Sequence, residues 1–372
     1  MKVLQLGKFH PPDIGGMETV IYDIAECLNK SGIECDVLCS NSAYEYKEEI
    51  INGYKVFRTK TFGNYFSTSI TPQMIFKLRD IISEYDIIHV HLPDPMANLS
   101  LFFANIKNKK IVIHWHSDII KQKYLLKLYE PLQKWLLNKA DKIIATTPKY
   151  MEESKYLKNY KEKCVVIPIG IDENRLNSDP VILNKLKKKY RNKKIIFSLG
   201  RLSYYKGFEY LINSAKYLDD SYMILIGGDG ELKNKLQKII DNEKLNDKVE
   251  LLGKIAQSEL GSYFQFCNVF CLPSIAKSEA FGVAQIEAMR FGKPIVATKI
   301  KGSGVDWVNQ HGVTGLNVDF MNSKQLAQAF IDILKNDILY NKLKEGAKTR
   351  FINNFKRSKM VSLIIKLYNE LL

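Results

Sequence analysis

Glu279 and Glu287, separated by seven residues, sit in the run Pro273-Ser-Ile-Ala-Lys-Ser-Glu279-Ala-Phe-Gly282-Val-Ala-Gln-Ile-Glu287-Ala288. If a helix starts near Gly282, Glu279 lies just before its free N–H groups. Glu287 then faces the same side about a turn and a half later. Two solvated glutamates on a surface helix would be the plain alternative, but Ala280, Phe281, Val283, Ala284, Ile286 and Ala288 surround them, and carboxylates among apolar side chains need partners. One carboxylate could hold one end of a ligand and the other a hydroxyl pair. A second constellation lies upstream, where Gly200-Arg201 ends a strand and Lys206-Gly207 opens the next helix. Two cations there suit a diphosphate, with Arg201 binding two oxygens and Lys206 acting as a point charge. Strand ends are where open α/β sheets bind ligands, which favours this reading over a solvated loop.

Two glycine-rich segments are less telling. Gly15-Gly16, between a first strand and a helix from about Met17, lets a phosphate approach backbone N–H groups at the positive end of a helix dipole, or is an ordinary turn. Gly227-Gly228-Asp229-Gly230 is a poor dinucleotide fingerprint, because Lys233 occupies the third glycine position, and reads as a tight turn. Four histidines end neighbouring strands: His89 and His91 in Ile88-His-Val-His-Leu92, and His114 and His116 in His114-Trp-His-Ser-Asp118. Each could be a ligand, a base or a donor to a sugar hydroxyl. Alternation along a strand is read as sending only one of each pair into a cleft, and no cysteine or carboxylate shell completes a site, so no metal is expected.

These groups need a scaffold of alternating strands and helices. Apolar, β-branched runs predict strands at Val3–Gly7, Cys35–Cys39, Tyr54–Thr59, Ile87–His91, Ile111–His114, Ile143–Thr146 and Val165–Pro168. A second series follows at Ile195–Gly200, Met223–Gly227, Val249–Leu252, Val269–Pro273, Ile295–Thr298 and Gly315–Val318. Helix-length spacers between them imply βαβ units and mostly parallel sheets. Thirteen strands exceed one twisted open sheet, so the 372 residues read as two α/β domains, 1–170 and 171–354, with a cleft. The boundary falls at Pro168-Ile-Gly-Ile-Asp172. The helical stripe Met360, Leu363, Ile364, Leu367 and Leu371 crosses back, in this reading, so that residues 355–372 join the first domain.

Composition narrows the class. Hydrophobic residues make up 46% and charged residues 26%, which excludes a disordered chain. No apolar run reaches the ~20 residues of a membrane span, and no signal peptide is expected at Met1. Six cysteines without metal-type spacing read as buried free thiols in a reducing cytoplasm. The net charge of +15 favours anionic partners, and residues 107–163, with 14 basic and 6 acidic side chains, supply +8 of it. No nucleic-acid-binding pattern accompanies that excess. Within it, Leu125, Leu128, Leu132, Trp135 and Leu136 recur at helical spacing among Lys121, Lys123, Lys127, Lys134 and Lys139, with Pro131 expected to kink or divide the segment. This reads as a basic amphipathic helix at a membrane surface, anchored by Trp135, over a core-packed helix with solvated lysines.

Taken in order, Gly15-Gly16, His116-Ser-Asp118, Val166-Ile-Pro-Ile-Gly170-Ile-Asp172, Gly200-Arg201 with Lys206-Gly207, Gly228-Asp-Gly230 and Glu279-x7-Glu287 resemble the GT4-family retaining glycosyltransferases of the GT-B fold, across essentially the whole chain. The resemblance implies two facing Rossmann-like domains, the second binding a nucleotide-diphosphate sugar and the first mainly the acceptor. It implies that Arg201 and Lys206 neutralise the donor diphosphate and that Glu279 contacts hydroxyls of the transferred sugar. Phe281, Gly282 and Val283 would offer backbone amides, Glu287 would bind the ribose, and Gly253-Lys254-Ile255 would lie along the base. Gly15 and Gly16 would meet the diphosphate from the first domain, and His116 would approach the anomeric centre.

The chemistry so implied is consistent. Breaking the anomeric C–O bond leaves positive charge on the sugar and negative charge on the diphosphate, which Arg201, Lys206 and the helix start near Gly282 would stabilise in the transition state without a metal cofactor. Glu279 is assigned to sugar positioning and not to a glycosidase-type nucleophile. The His-Ser-Asp stretch resembles bacterial transferases that build cell-surface polysaccharides and O-antigens, several of which use GDP-mannose or related GDP-sugars; a UDP-sugar remains open. Lys277 and the Lys301–Val308 segment depart from the general pattern without identifying a sugar. The expectation is a cytoplasmic enzyme, peripheral on the inner face of the membrane, acting on a lipid-linked or lipopolysaccharide acceptor. A nucleotide-sugar epimerase of the same architecture and a non-catalytic basic glycan- or lipid-binding protein are the competing classes.

Overall fold

A computed structural model describes the chain except for residues 14, 66–67 and 120–122, and the side chains of residues 123–125. It divides into two compact units, Met1–Gly170 with Arg357–Leu372, and Ile171–Lys356.

The strands of the first unit are β1 (Lys2–Leu6), β2 (Glu34–Ser40), β3 (Lys47–Ile51), β4 (Tyr54–Thr59), the short pair β5 (Asn64–Tyr65) and β6 (Thr68–Ser69), then β7 (Ile87–Leu92), β8 (Lys110–Trp115), β9 (Lys142–Ala145) and β10 (Cys164–Val166). Eight of them form one sheet in the order β10-β9-β8-β7-β1-β2-β4-β3. Every pairing is parallel except β3 with β4. β3 was not expected: Lys-Glu-Glu-Ile-Ile lacks the apolar pattern of a central strand and lies at the edge, with one antiparallel neighbour. Asn52 and Gly53 make the turn between β3 and β4, both with positive φ (49° and 94°), as a two-residue hairpin requires. The central strands are buried on both faces, which explains their nearly continuous apolar sequences. The strand order reverses between β1 and β7, so the loops after those strands and after β8 open at the switch point where such sheets bind ligands.

The second unit holds β11 (Lys194–Leu199), β12 (Tyr222–Gly227), β13 (Val249–Gly253), β14 (Val269–Leu272), β15 (Ile295–Lys299) and β16 (Gly315–Asp319). They form one parallel sheet in the order β13-β12-β11-β14-β15-β16, the 3-2-1-4-5-6 order of the dinucleotide-binding fold. Ile196, Ile224, Val269 and Val296 on the sheet pack with Leu211, Leu236 and Phe330 from the covering helices. The switch point lies between β11 and β14, so Gly200-Arg201 and Pro273-Ser274 leave the sheet side by side.

Helix Arg357–Asn369 belongs to the first unit. It buries Met360, Val361, Ile364, Leu367 and Tyr368, and its first turn is fixed where Arg357 Nη1 donates to Asp23 Oδ1 at 3.1 Å. Helix Lys123–Lys139 runs through Pro131 as one element, so the proline does not divide it. The last turns bury Leu136 and Leu137, whereas Leu128, expected on the packed stripe, is 81% exposed. All six cysteines are free, with Cys35, Cys39, Cys267 and Cys271 buried. Among the described residues no helix is long and apolar enough to cross a membrane.

Candidate active site

In the second unit the loop after β11 carries Arg201 and, in a short 3-10 turn, Lys206. Arg201 is exposed, and its side chain has no partner among the described residues. Lys206 reaches inward. Its Nζ donates to Glu279 Oε2 at 2.6 Å, with only 13% and 10% of the two side chains exposed. Ser274 Oγ donates to the same carboxylate oxygen at 2.9 Å, and the Glu279 main-chain carbonyl accepts from Ser303 Oγ. Burial alone would lower the Lys206 ammonium, but the Glu279 charge outweighs it and holds the pKa above its ordinary value. Lys206 therefore keeps its proton beside that carboxylate.

Gly282, in the left-handed region at φ 76°, forms the N-cap of helix Val283–Arg290. A β-carbon on it would meet Leu272 Cδ2 at 2.5 Å, so both its backbone conformation and its packing call for glycine. The amides of Phe281, Gly282 and Val283 donate no hydrogen bond among the described residues, while the Phe281 ring is buried against Phe355. Glu287 follows one turn along the helix. Burial raises its pKa to about 7, against the opposing pull of Arg175 and Lys206. Arg175, which sequence reasoning missed, therefore bears on this site through its charge; it lies in a 3-10 turn over a hundred residues away, with no local motif to mark it.

The glycines after β12 are more than a turn. Gly228 has φ 131°, and a β-carbon there would stand 1.9 Å from the Gly200 carbonyl oxygen. Its absence lets the β12 loop lie directly on the loop bearing Arg201, tied by Leu202 N to Asp229 O at 2.9 Å. Gly253 follows, accepting from the Gly228 amide at 2.7 Å. Lys254 is exposed and Ile255 half-buried beside Gly227, which leaves the Gly253-Lys254-Ile255 turn open at the strand ends. The Lys277 side chain lies along Gly302. Arg201, Lys206, Glu279, Glu287 and the free amides thus occupy neighbouring strand ends and loops of one sheet. A buried ion pair, an exposed cation and a helix start are the parts needed to bind a diphosphate with a polyhydroxylated group attached.

In the first unit, Gly15 precedes helix Gly16–Lys30 in extended conformation. Glu18 folds back over it, so a β-carbon on Gly15 would meet Glu18 Oε2 at 2.2 Å. Burial raises the Glu18 pKa, opposed by the hydrogen bond from its own amide. A phosphate entering this helix start must displace that carboxylate. His116 is half-buried just beyond β8. Its loop is pinned by Asp118, whose Oδ1 accepts from Trp115 Nε1 at 3.0 Å and Ser154 Oγ at 2.8 Å.

The reading of the other histidines requires correction. Residues i and i+2 of a strand share a face, so His89 with His91, and His114 with His116, project together. All four rings stack, with His114 and His116 4.4 Å apart and His89 and His91 4.7 Å apart. Ligand atoms of His89, His91 and His114 lie within 4.8 Å of one another. Their planes differ by only 7–21°, however, so the in-plane lone pairs run side by side and do not converge on a point about 2 Å from each. Both nitrogens of His91 are also engaged, with His116 and Gln5. The stack as it stands is not aimed at one ion. Burial lowers the pKa of His116 to about 3, and burial with neighbouring rings does the same for His89, so the stack is neutral at physiological pH.

On the basic helix, Lys121 lies outside the described residues, as does the side chain of Lys123. Lys127 is exposed, and Trp135 is half-buried with its ring edge against Phe102 at 5.0 Å. Phe102 and Phe103, 47% and 54% exposed, extend this surface from the preceding helix. Sequence reasoning passed over them because they end an otherwise apolar helix.

Two Rossmann-like units with these sheets are the architecture of the GT-B glycosyltransferases. The chain superimposes along its full length on Anabaena Alr3699/HepE, solved in complex with UDP, with a TM-score of 0.76 at 21% identity. It also superimposes on a sucrose-phosphate synthase from Thermosynechococcus elongatus, with a TM-score of 0.79 at 20% identity, covering 100% of this chain and 99% of that one. Residues 14–175 match the Glycosyltransferase Family 4 model and residues 183–350 the Glycosyl transferases group 1 model. The chain is 30% identical to the O-antigen chain mannosyltransferase C of Escherichia coli over 100% of its own length and 99% of that protein. It is 31% identical to the D-rhamnosyltransferase WbpZ of Pseudomonas aeruginosa over 86% and 82% of the two chains. The protein belongs to the GT4 group of glycosyltransferases.

Proposed function

We propose that this glycosyltransferase moves a hexose from a nucleotide-diphosphate sugar to a lipid-linked or lipopolysaccharide glycan, with retention at the anomeric carbon and without a metal ion. The observation that carries the reading is the buried Lys206–Glu279 pair beside the free amides of Phe281, Gly282 and Val283. Lys206 and Arg201 take the diphosphate, Glu279 and those amides take the sugar hydroxyls and phosphates, Glu287 the ribose, and Gly253-Lys254-Ile255 the base. Gly15 and Gly16 serve the diphosphate and His116 the transferred sugar. In the reaction the bond between the anomeric carbon and the diphosphate oxygen breaks, and the acceptor oxygen bonds to the same carbon from the same face. The acceptor proton passes to the departing phosphate. Charge grows on the diphosphate in the transition state, where Lys206, Arg201 and the helix start stabilise it most.

A mannose-type donor carried on GDP is favoured by likeness to an O-antigen mannosyltransferase, and UDP by the nucleotide bound to the Anabaena protein. Location on the inner face of the cytoplasmic membrane is supported by the +8 excess of residues 107–163 and by the exposed aromatic surface of Phe102, Phe103 and Trp135. Thermal-shift titration with GDP, UDP, ADP and dTDP tests the donor class: one diphosphate should raise Tm well above the others. Transfer from the matching α-linked sugar to a lipid-linked acceptor should survive EDTA and give an α-linked product. Inhibition by EDTA that a divalent ion reverses would reject the metal-free account, and a β-linked product would reject retention.

A further inference from the structure

The first unit contains a hydrogen-bonded path that the proposed reaction has not yet used. His116 Nε2 lies 3.0 Å from His91 Nδ1, and His91 Nε2 lies 2.8 Å from Gln5 Oε1. Gln5 Nε2 donates to the Tyr368 hydroxyl at 3.3 Å, and that hydroxyl meets His89 Nδ1 at 2.5 Å. Gln5, His89, His91 and Tyr368 are fully buried. Burial leaves these groups chiefly to one another as partners, although His89 Nε2 has none among the described residues.

The donors and acceptors can be followed atom by atom. A carboxamide oxygen only accepts, so the hydrogen between Gln5 and His91 sits on His91 Nε2. A neutral imidazole has one N–H, which leaves a lone pair on His91 Nδ1. The hydrogen between the two histidines must then sit on His116 Nε2, and the second nitrogen of His116, Nδ1, keeps its lone pair. At the other end Gln5 donates to the Tyr368 oxygen, and that hydroxyl and His89 Nδ1 share one hydrogen. No group in the path is asked to donate twice.

We propose that Gln5 and His91 are positioning residues that fix His116 as its Nε2–H tautomer, which leaves Nδ1 as an obligate hydrogen-bond acceptor for a hydroxyl of the transferred sugar. The inference rests on the proposed role of His116. Tyr368 anchors the far end, which makes helix Arg357–Asn369 a structural support of the reactive loop as well as a cover for the sheet. An acceptor with one fixed tautomer selects a hydroxyl and rejects a carbonyl or ether at the same place, because the latter would leave two acceptors facing each other.

The path is tested with two readouts. The first is the two-bond 1H–15N spectrum of 15N-histidine-labelled full-length protein, in which the chain's six histidines are resolved and His116 is assigned by its loss in His116→Asn. The expected wild-type signal is a single neutral tautomer protonated at Nε2. Gln5→Met should convert it to a mixture of tautomers. The second readout is kinetic. Gln5→Met and His91→Leu should lower kcat about 10- to 100-fold, with donor KM changing less than about threefold, the size expected for one lost polar contact in a reactive site. His91→Asn, whose side-chain oxygen can still accept from His116 Nε2, should restore most of the loss. A wild-type His116 protonated at Nδ1, or a tautomer unmoved by Gln5→Met, overturns the proposal even in a fully active enzyme. A protein that shows the tautomer response but transfers no sugar overturns the reading of function and leaves the path standing.

Discussion

Replacing Glu287 by glutamine should stabilise the empty protein at alkaline pH while weakening its hold on the donor. The folded-state pKa of Glu287 is raised from the usual 4.5 to about 7, chiefly by burial. In the unfolded chain the carboxyl loses its proton near its usual value; in the folded chain it keeps it until about pH 7. Between those values the folded state binds more protons, so stability falls as pH rises and the full cost is present above about pH 8. A shift of this size corresponds to about 3 kcal/mol at most, at ~1.36 kcal/mol per unit. Glu287 is half-buried, and solvent screening trims the figure to about 1–2 kcal/mol. For a unit of this size, that is about 3–6 °C in Tm. Calorimetric melts of wild type and Glu287→Gln at pH 5 and pH 8.5 isolate the effect, because titrations not coupled to Glu287 cancel in the difference. The Tm advantage of the variant should grow by that amount from the lower to the higher pH. With donor nucleotide present the order should invert: an ionised Glu287 accepts from ribose hydroxyls, so affinity in wild type should rise with pH up to about 7 and be nearly flat in the variant. A Tm difference that is the same at both pH values would refute the reasoning.

Three further outcomes are expected. Lys206→Ala leaves the Glu279 carboxylate buried without its partner and should cost about 3–5 kcal/mol; Lys206→Met with Glu279→Leu should regain most of that stability by chemical denaturation yet show no transfer. Gly228→Ala drives a methyl into the Gly200 carbonyl and should lower stability by about 3 kcal/mol or more, with nucleotide affinity falling in parallel in calorimetric titration. Phe102→Ser with Phe103→Ser, and separately Lys127→Gln with Lys134→Gln, should each reduce sedimentation with anionic vesicles, the lysine pair alone removing the salt sensitivity. Equal binding to neutral vesicles by the wild type would set the membrane surface aside.

All thirteen strands read from apolar runs are present, because parallel strands covered on both faces leave a continuous β-branched signature that needs no partner to be recognised. β3 was illegible by that criterion, being an edge strand with charged residues. The signal that could have found it was local: Asn52-Gly53 before an apolar run is a strong hairpin marker. In the second unit, Glu279 and Glu287 were visible because charge amid apolar sequence demands a partner, and Lys206 because a cation opens a helix just after a strand end. The partner itself was less visible where it came from far along the chain, as Arg175 does. The histidines were misread for a different reason. Their spacing was correct evidence of a shared face, but period two was taken for period one, and with it went the stack, Gln5 and Tyr368. Leu128 shows the limit of helical spacing: a stripe can be continuous in sequence while only the end that meets another element is covered.

The two halves of the candidate machinery handle charge in opposite ways. The second unit buries a full ion pair, and its ligand-free state already holds Lys206 charged, so a diphosphate meets a cation that requires no further proton. Glu279 is the counter-charge it must share. As the ligand's negative charge grows in the transition state, the ammonium is drawn toward the phosphate while Ser274 Oγ keeps its hydrogen bond to the carboxylate, which offsets part of the cost of loosening the pair. The first unit instead presents a neutral stack in which burial keeps protons off the rings. A charged His116 would repel the positive charge that develops on the sugar; a neutral one can orient a hydroxyl without opposing it. On the proposed function, cation is therefore concentrated where the leaving group departs and excluded where the sugar becomes electron-poor. The substitution that separates these effects is His116→Lys, which restores reach and adds a charge: it should bind donor nucleotide like the wild type and transfer sugar more slowly than His116→Ala. Transfer faster than the alanine variant would show that charge at this position is tolerated and that the neutrality of the stack has another cause.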